Sequence, residues 1–211
     1  LKTNLFNAST DFLAADRQLK SPRKVEDAWL TKAESFGLSW SAAIEFSTMI
    51  GANNKYHLVS VKAVDEKYPL KGNLLLGKNG EDVVTFHGPS SNNAWLHQRL
   101  FSLLGIHSGQ NVGIGEADFL VTSILRQEPD TSFQLAGLAP RVMIPLAMLE
   151  KTKVIQPGSR ASWTYYFVGD DDSLSRFERW LSPKLSPSHH WQGLRDGRPA
   201  ISKALYMMSG R

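Results

Sequence analysis

The stretch over 95–129, WLHQRLFSLLGIHSGQNVGIGEADFLVTSILRQEP, constrains the fold more than any other. Apolar residues at Trp95, Leu96, Leu100, Phe101, Leu103 and Leu104 predict a helix over 95–104. Gly105 ends it, because a helix C-terminus turns left-handed and glycine does so without steric cost. A turn at 106–109 leads to a strand over 110–115 and a hairpin corner at Glu116 and Ala117. A longer strand over 119–125 follows, with Phe119 and Val121 on one face. The frame L-G-x-x-x-G-x-x-V-x-x-G puts glycines where a Cβ would block a turn or a close approach. No titratable constellation sits on it. The module reads as a structural, β-rich piece of a non-enzymatic domain.

Around this module the chain alternates. Leu5, Ala8, Phe12, Ala15 and Leu19 form a stripe that predicts a helix over 4–20. Ser21-Pro22 reads as an N-cap and first position of a second helix over 22–36, closed by Gly37. Strands are expected over 39–51 and 55–65, joined around 52–54, then over 74–76 and 83–86. A strand at 141–145, a short helix over 146–153 and an aromatic strand over 161–168 come next. Asp170, Asp171 and Asp172 open a helix to about Ser182, where acids complement the helix dipole. A strand over 189–194 and a helix from Pro199 through Ala200, Leu205 and Met208 complete the pattern. The fold class is α+β. The expected arrangement is an α/β part built from residues 1–65 plus 156–211, with a β-rich part inserted over 66–155.

Composition narrows the function classes. The 211 residues suffice for one large domain or two small ones with real cores. The net charge of +4 is thinly spread, which argues against a nucleic-acid footprint. The absence of cysteine removes disulfides, thiolate metal ligands and thiol nucleophiles together. No run of about 18 apolar residues is present. The chain opens with Leu1 and has helix-like sequence at both ends, so it is expected to be a piece of a longer protein whose two ends lie close together.

The motifs that could carry catalysis fail on inspection. Residues 72–79, GNLLLGKN, approach a phosphate-binding loop, but Asn79 stands where a magnesium-binding hydroxyl belongs. The Leu74-Leu75-Leu76 run there favours a buried strand over a cradle of amides. Gly113-Ile114-Gly115 lacks the third glycine and the helix of a dinucleotide site. His57 reads as a strand histidine, and adjacent strand residues His189 and His190 point to opposite faces, so they make a poor chelate. No catalytic, cofactor-binding or metal-binding residue is expected.

One segment remains unexplained by packing alone. Residues 128–140 carry two prolines and a glycine, yet also Phe133, Leu135 and Leu138. These three are the candidate contacts for a substrate or a partner, presented on an apolar lip.

Several stretches, taken in order, resemble a known family: LAADRQLKSP, VSVKAVDEKYPLKG, the helix with L-G-x-x-x-G, LRQEPD, LAPRVMIPLAMLE, and QPGSR before an aromatic strand. The pieces KAVDEKYPLKG and the EPD…APR pair carry most of the specificity. Together they are similar to the first periplasmic domain of YbbP-type permeases, in the MacB/FtsX-like family of ABC transporters. The turn after L-G often carries G-D in that family, and here it is Gly109-Gln110.

The resemblance implies a MacB-like periplasmic core, with a porter part from both chain ends and an inserted sabre part. It implies a non-catalytic periplasmic domain of a bacterial inner-membrane protein, lying between the first and second membrane helices. It further implies the transmembrane part of the same permease, a separate ATPase subunit, a periplasmic esterase or lysophospholipase as partner, and lipid-like cargo. A free-standing periplasmic ligand-binding module, or a hydrolase with an unrecognised site, is the alternative.

Overall fold

The computed structural model describes residues 14–130, 139–195 and 198–199. Its elements are β1 (Arg17–Ser21), α1 (Asp27–Ser35), β2 (Ser39–Ala52), β3 (Lys55–Val64), β4 (Leu74–Lys78), β5 (Glu81–Thr85), β6 (Asn93–Leu96) and α2 (Arg99–Leu104). There follow β7 (Asn111–Ile114), β8 (Ala117–Gln127), β9 (Arg141–Pro145), α3 (Leu149–Thr152), β10 (Ser162–Val168), α4 (Asp171–Leu181), β11 (His190–Arg195) and β12 (Arg198–Pro199).

The long ribbon of β2 and β3 organises the rest. Its two-residue turn, Asn53-Asn54, has φ of 53° and 58°, which suits the right-handed twist of a tight hairpin. β3 continues into β9 in parallel register, Ser60 opposite Arg141 and Val64 opposite Pro145. β9 pairs β6, β6 pairs β8, β8 pairs β7, and β7 returns to β2 at Ile50 and Gly51. The pairings therefore close a ring of six strands. Alternate residues point inward, as barrel strands require: Phe46 and Ile50, Val59 and Val61, Val142 and Ile144, Phe119 and Val121 share one core. Leu100 and Leu104 of α2 belong to the same core.

On the other side of β2 lie β10, β1 and β11, in that order. Leu19, Tyr165 and Phe167 from these strands pack with Trp29, Leu30 and Ala33 of α1 and Leu174, Phe177 and Leu181 of α4. Asp170 caps α4, its carboxylate accepting from the Ser173 backbone N–H at 2.8 Å. The three acids therefore serve a helix start, as their order implied.

Four sequence expectations are overturned. The predicted helix over 4–20 gives way at its end to β1, since residues 17–21 pair with β10 on one side and β11 on the other. Those ladders, and burial of Arg17, Gln18 and Leu19, outweigh the three-and-four spacing. Ser21 ends that strand and bonds with Arg23, so α1 starts only after Glu26. Residues 93–96 form β6 rather than helix, because Trp95 and Leu96 pair with β8 and β9 at once; α2 is only the second half of the expected element. Pro199 lies in β12 rather than at a helix start. The expected helix residues 4–13 and 200–211, and with them the placement of the chain ends, lie outside the described residues.

Candidate functional site

The outer face of the β2–β3 ribbon holds a buried polar cluster. Lys62 is 2% exposed, although it sits on a strand flanked by Val61 and Ala63, whose side chains point into the barrel. Its ammonium lies 2.7 Å from Asp130 Oδ2 and 3.7 Å from Glu128 Oε2. Asp130 also accepts hydrogen bonds from Tyr68 Oη and Tyr166 Oη, both at 2.5 Å. The Lys62 ammonium sits 4.8 Å from the centre of the Tyr68 ring, a cation–π distance.

Arg141 extends the cluster with its planar fork. Nε donates to Glu128 Oε1 at 2.9 Å, Nη1 to Ser60 Oγ at 2.7 Å, and Nη2 to Glu45 Oε1 at 2.5 Å. Three backbone segments are thereby tied together: the ribbon through Glu45, Ser60 and Lys62, the end of β8 through Glu128 and Asp130, and the start of β9 through Arg141. A further contact, the Ser60 N–H to the Pro140 carbonyl at 3.0 Å, fixes the entry to β9. The cluster thus clamps both ends of the stretch that contains residues 131–138. Phe133, Leu135 and Leu138 fall in that stretch and lie outside the described residues.

The electrostatics favour fixed charges over proton transfer. Burial alone would lower the Lys62 pKa, but the carboxylates of Asp130, Glu128 and Glu45 outweigh it and hold the value above the usual lysine range. Burial opposes ionisation of Asp130, yet the Lys62 charge and the bonds from Lys62, Tyr166 and Tyr68 hold its carboxyl below the usual value. Burial and the neighbouring Asp130 push both tyrosine hydroxyls well up. Burial would lower Arg141, and Glu128 and Glu45 raise it instead. Every shift leads away from neutral pH. A general acid or base works best with a pKa near neutral, and this geometry suits a clamp on the backbone.

The near-miss phosphate loop is a hairpin. Leu74–Lys78 is β4, paired with β5, and Leu74 and Leu76 are buried. Among the described residues His57 donates from Nδ1 to the neighbouring Leu58 carbonyl, and His189 bonds Ser186 and tilts against Trp29. Among the described residues no group of three or more histidines and carboxylates is arranged for a metal ion.

The sequence strings that carried the family resemblance meet in this cluster: Lys62 and Tyr68 from KAVDEKYPLKG, Glu128 and Asp130 from EPD, Arg141 from APR. Lys71 of the same first string pairs with Asp16 of LAADRQLKSP. Asp65 accepts from the Ser41 hydroxyl at 2.6 Å and the Ala42 N–H at 2.7 Å.

No family model matches the chain. A relative is shared over nearly the whole sequence: the uncharacterized ABC transporter permease YbbP of Escherichia coli (strain K12), 36% identical over 205 residues and 97% of this chain. The chain is similar to a YbbP-type ABC transporter permease. It spans 25% of the length of that permease. Solved structures bear out the α+β fold. The periplasmic region of MacB from Actinobacillus actinomycetemcomitans superposes with a TM-score of 0.52 at 11% identity, covering 96% of both chains. The extracellular domain of the noncanonic ABC-type transporter YknZ from Gram-positive bacteria gives 0.51 at 11% identity, over 83% of this chain and 100% of that one. The resemblance read from the motifs therefore holds in sequence, to a YbbP-type permease, and in fold, to the MacB periplasmic region.

Proposed function

We propose that the chain is a non-catalytic periplasmic domain of an ABC transporter permease in a bacterial inner membrane. It couples ATP hydrolysis by a separate cytoplasmic subunit to movement of lipid-like or hydrophobic material, or of a partner protein. The observation that carries this reading is 36% identity to the YbbP permease across 97% of the chain. The MacB-like fold supports it. The partners are the transmembrane part of the same permease, its ATPase subunit, and a periplasmic esterase or lysophospholipase. Residues 1–65 with 156–211 act as the porter part and residues 66–155 as the sabre part.

The clamp supports a role for the segment it holds. Lys62 and Arg141 anchor Asp130 and Glu128 on a rigid barrel wall, so the apolar lip with Phe133, Leu135 and Leu138 starts and ends on fixed points. In this reading the lip meets cargo or partner. The test changes Phe133→Ser and Leu135→Ser together in the full-length permease with its ATPase subunit. The expected result is an unchanged melting temperature of the domain with lost transport or partner binding. A large drop in melting temperature makes these residues core, and unchanged transport removes the lip from the mechanism.

A further inference from the structure

At the turn end of the β2–β3 ribbon, six residues and about 20 Å from Lys62 along β3, lies an open cleft of about 470 Å³. Its floor is bare backbone. Gly51 of β2 stands opposite Gly113 of β7 in the ladder, so two adjacent positions carry no side chain. Gly51 also stands opposite Tyr56 of β3. The Tyr56 ring leans across it: a Cβ built on Gly51 would come within 2.7 Å of Tyr56 Cε1. The Cδ1–Cε1 edge of the ring is therefore backed by the strand. Tyr56 is nonetheless 70% exposed. The result is an exposed aromatic ring at the edge of a concave surface.

Three of the polar residues around it have no internal hydrogen bond among the described residues. Asn54, Asn111 and Asp118 line the cleft and are exposed, and their side chains make no hydrogen bond to another described residue. Asp118 Oδ1 lies beside the glycine floor, 3.9 Å from where a Cβ on Gly113 would stand. Asn53 is committed elsewhere, donating to the carbonyls of Leu104 and Gly105. No lysine, arginine or histidine is among the described lining residues.

We propose that this cleft binds a neutral saccharide. Each amide offers two donors and an acceptor, and the carboxylate accepts from two donors at once. That set matches adjacent hydroxyls, which both donate and accept. The tyrosine ring supplies a rigid, amphipathic surface at low entropic cost, suited to the C–H face of a pyranose. A phosphate or carboxylate ligand would face Asp118 with no cation to offset it. Tyr56 covers Gly51, and Gly113 beside it leaves room for a sugar ring to lie close to the backbone.

The test titrates the 211-residue chain, isotopically labelled, with cellotriose and with chitotriose, and follows amide shifts. The expected result is saturable binding of at least one with Kd of about 1 mM or tighter. The shifts should concentrate at Tyr56, Asn111, Gly113 and Asp118. Tyr56→Ala and Asn111→Ala should each weaken binding by about tenfold while leaving the melting temperature in place. Absence of saturable shifts with both sugars overturns the proposal. So does binding that neither variant changes, or saturation of the same residues by a leucine-rich peptide with which the sugars do not compete.

Discussion

Lys62 and Asp130, far apart in sequence, meet at 2.7 Å with both side chains nearly sealed from water. Two charges taken out of water cost several kcal/mol each, and their attraction offsets this only when the remaining lone pairs are also filled. Here they are, by Tyr68 and Tyr166. The pair locks the end of β8 to the barrel wall.

Breaking that pair from one side should be costly. Lys62→Met leaves Asp130 buried without its cation, while Glu128 keeps Arg141, and a loss of about 3–5 kcal/mol is expected. Urea unfolding of the variant measures it. A loss below about 1 kcal/mol would mean that the site is wet and the clamp weak.

The same shifts fix a pH window. Asp130 is depressed in the folded state, so its contribution is complete above the unfolded carboxylate value near 4 and is lost as pH falls through the lower folded value. Lys62, Tyr68 and Tyr166 are raised, so their contributions are complete below the unfolded values near 10 and fade as pH rises through the folded ones. Stability should therefore be flat, as regards this cluster, between about pH 5 and 9. Asp130→Asn should lower the plateau and flatten the acid limb. Thermal unfolding across pH 2–9, compared between the two proteins, checks the sign.

Two glycines with left-handed backbone should respond differently to alanine. Gly115 has φ of 56°, and a Cβ there would fall 2.0 Å from the Thr152 carbonyl oxygen and 2.7 Å from Val154 Cγ2. Gly115→Ala combines backbone strain with a clash against fixed backbone, so about 3 kcal/mol or more is expected. Gly80 has φ of 79° and open space around it, so Gly80→Ala should cost only about 1 kcal/mol. Equal losses for the two would refute the close approach of β7 to the end of α3.

The parts of the fold legible in the sequence are those that local chemistry decides. Asn53-Asn54 between two alternating runs announced the β2–β3 hairpin. Asp170 ahead of Ser173 announced the start of α4, and Gly105 the end of α2, where φ is 64°. β1 and β6 were hidden because their state is set by distant partners. Gln18 pairs with Tyr166 on one side and Gln192 on the other, and no local pattern carries that information. The clamp was half legible. Its residues lay inside the strings that marked the family, but their spacing gave them no role. One signal pointed to it: a lysine in the middle of the buried run Val59-Ser60-Val61-Lys62-Ala63-Val64. Such a charge requires a partner, although the sequence alone does not say which.

The most direct measurement concerns which side of the membrane this domain occupies. The chain has no cysteine, so a thiol at the exposed Lys78 reports its own location. Lys78→Cys would be placed in the full-length permease, in an otherwise cysteine-free background, and cells would be treated with a membrane-impermeant maleimide after the outer membrane alone is opened. A periplasmic domain predicts full labelling before the inner membrane is broken. Labelling that appears only after inner-membrane lysis would place the domain in the cytoplasm and contradict the account.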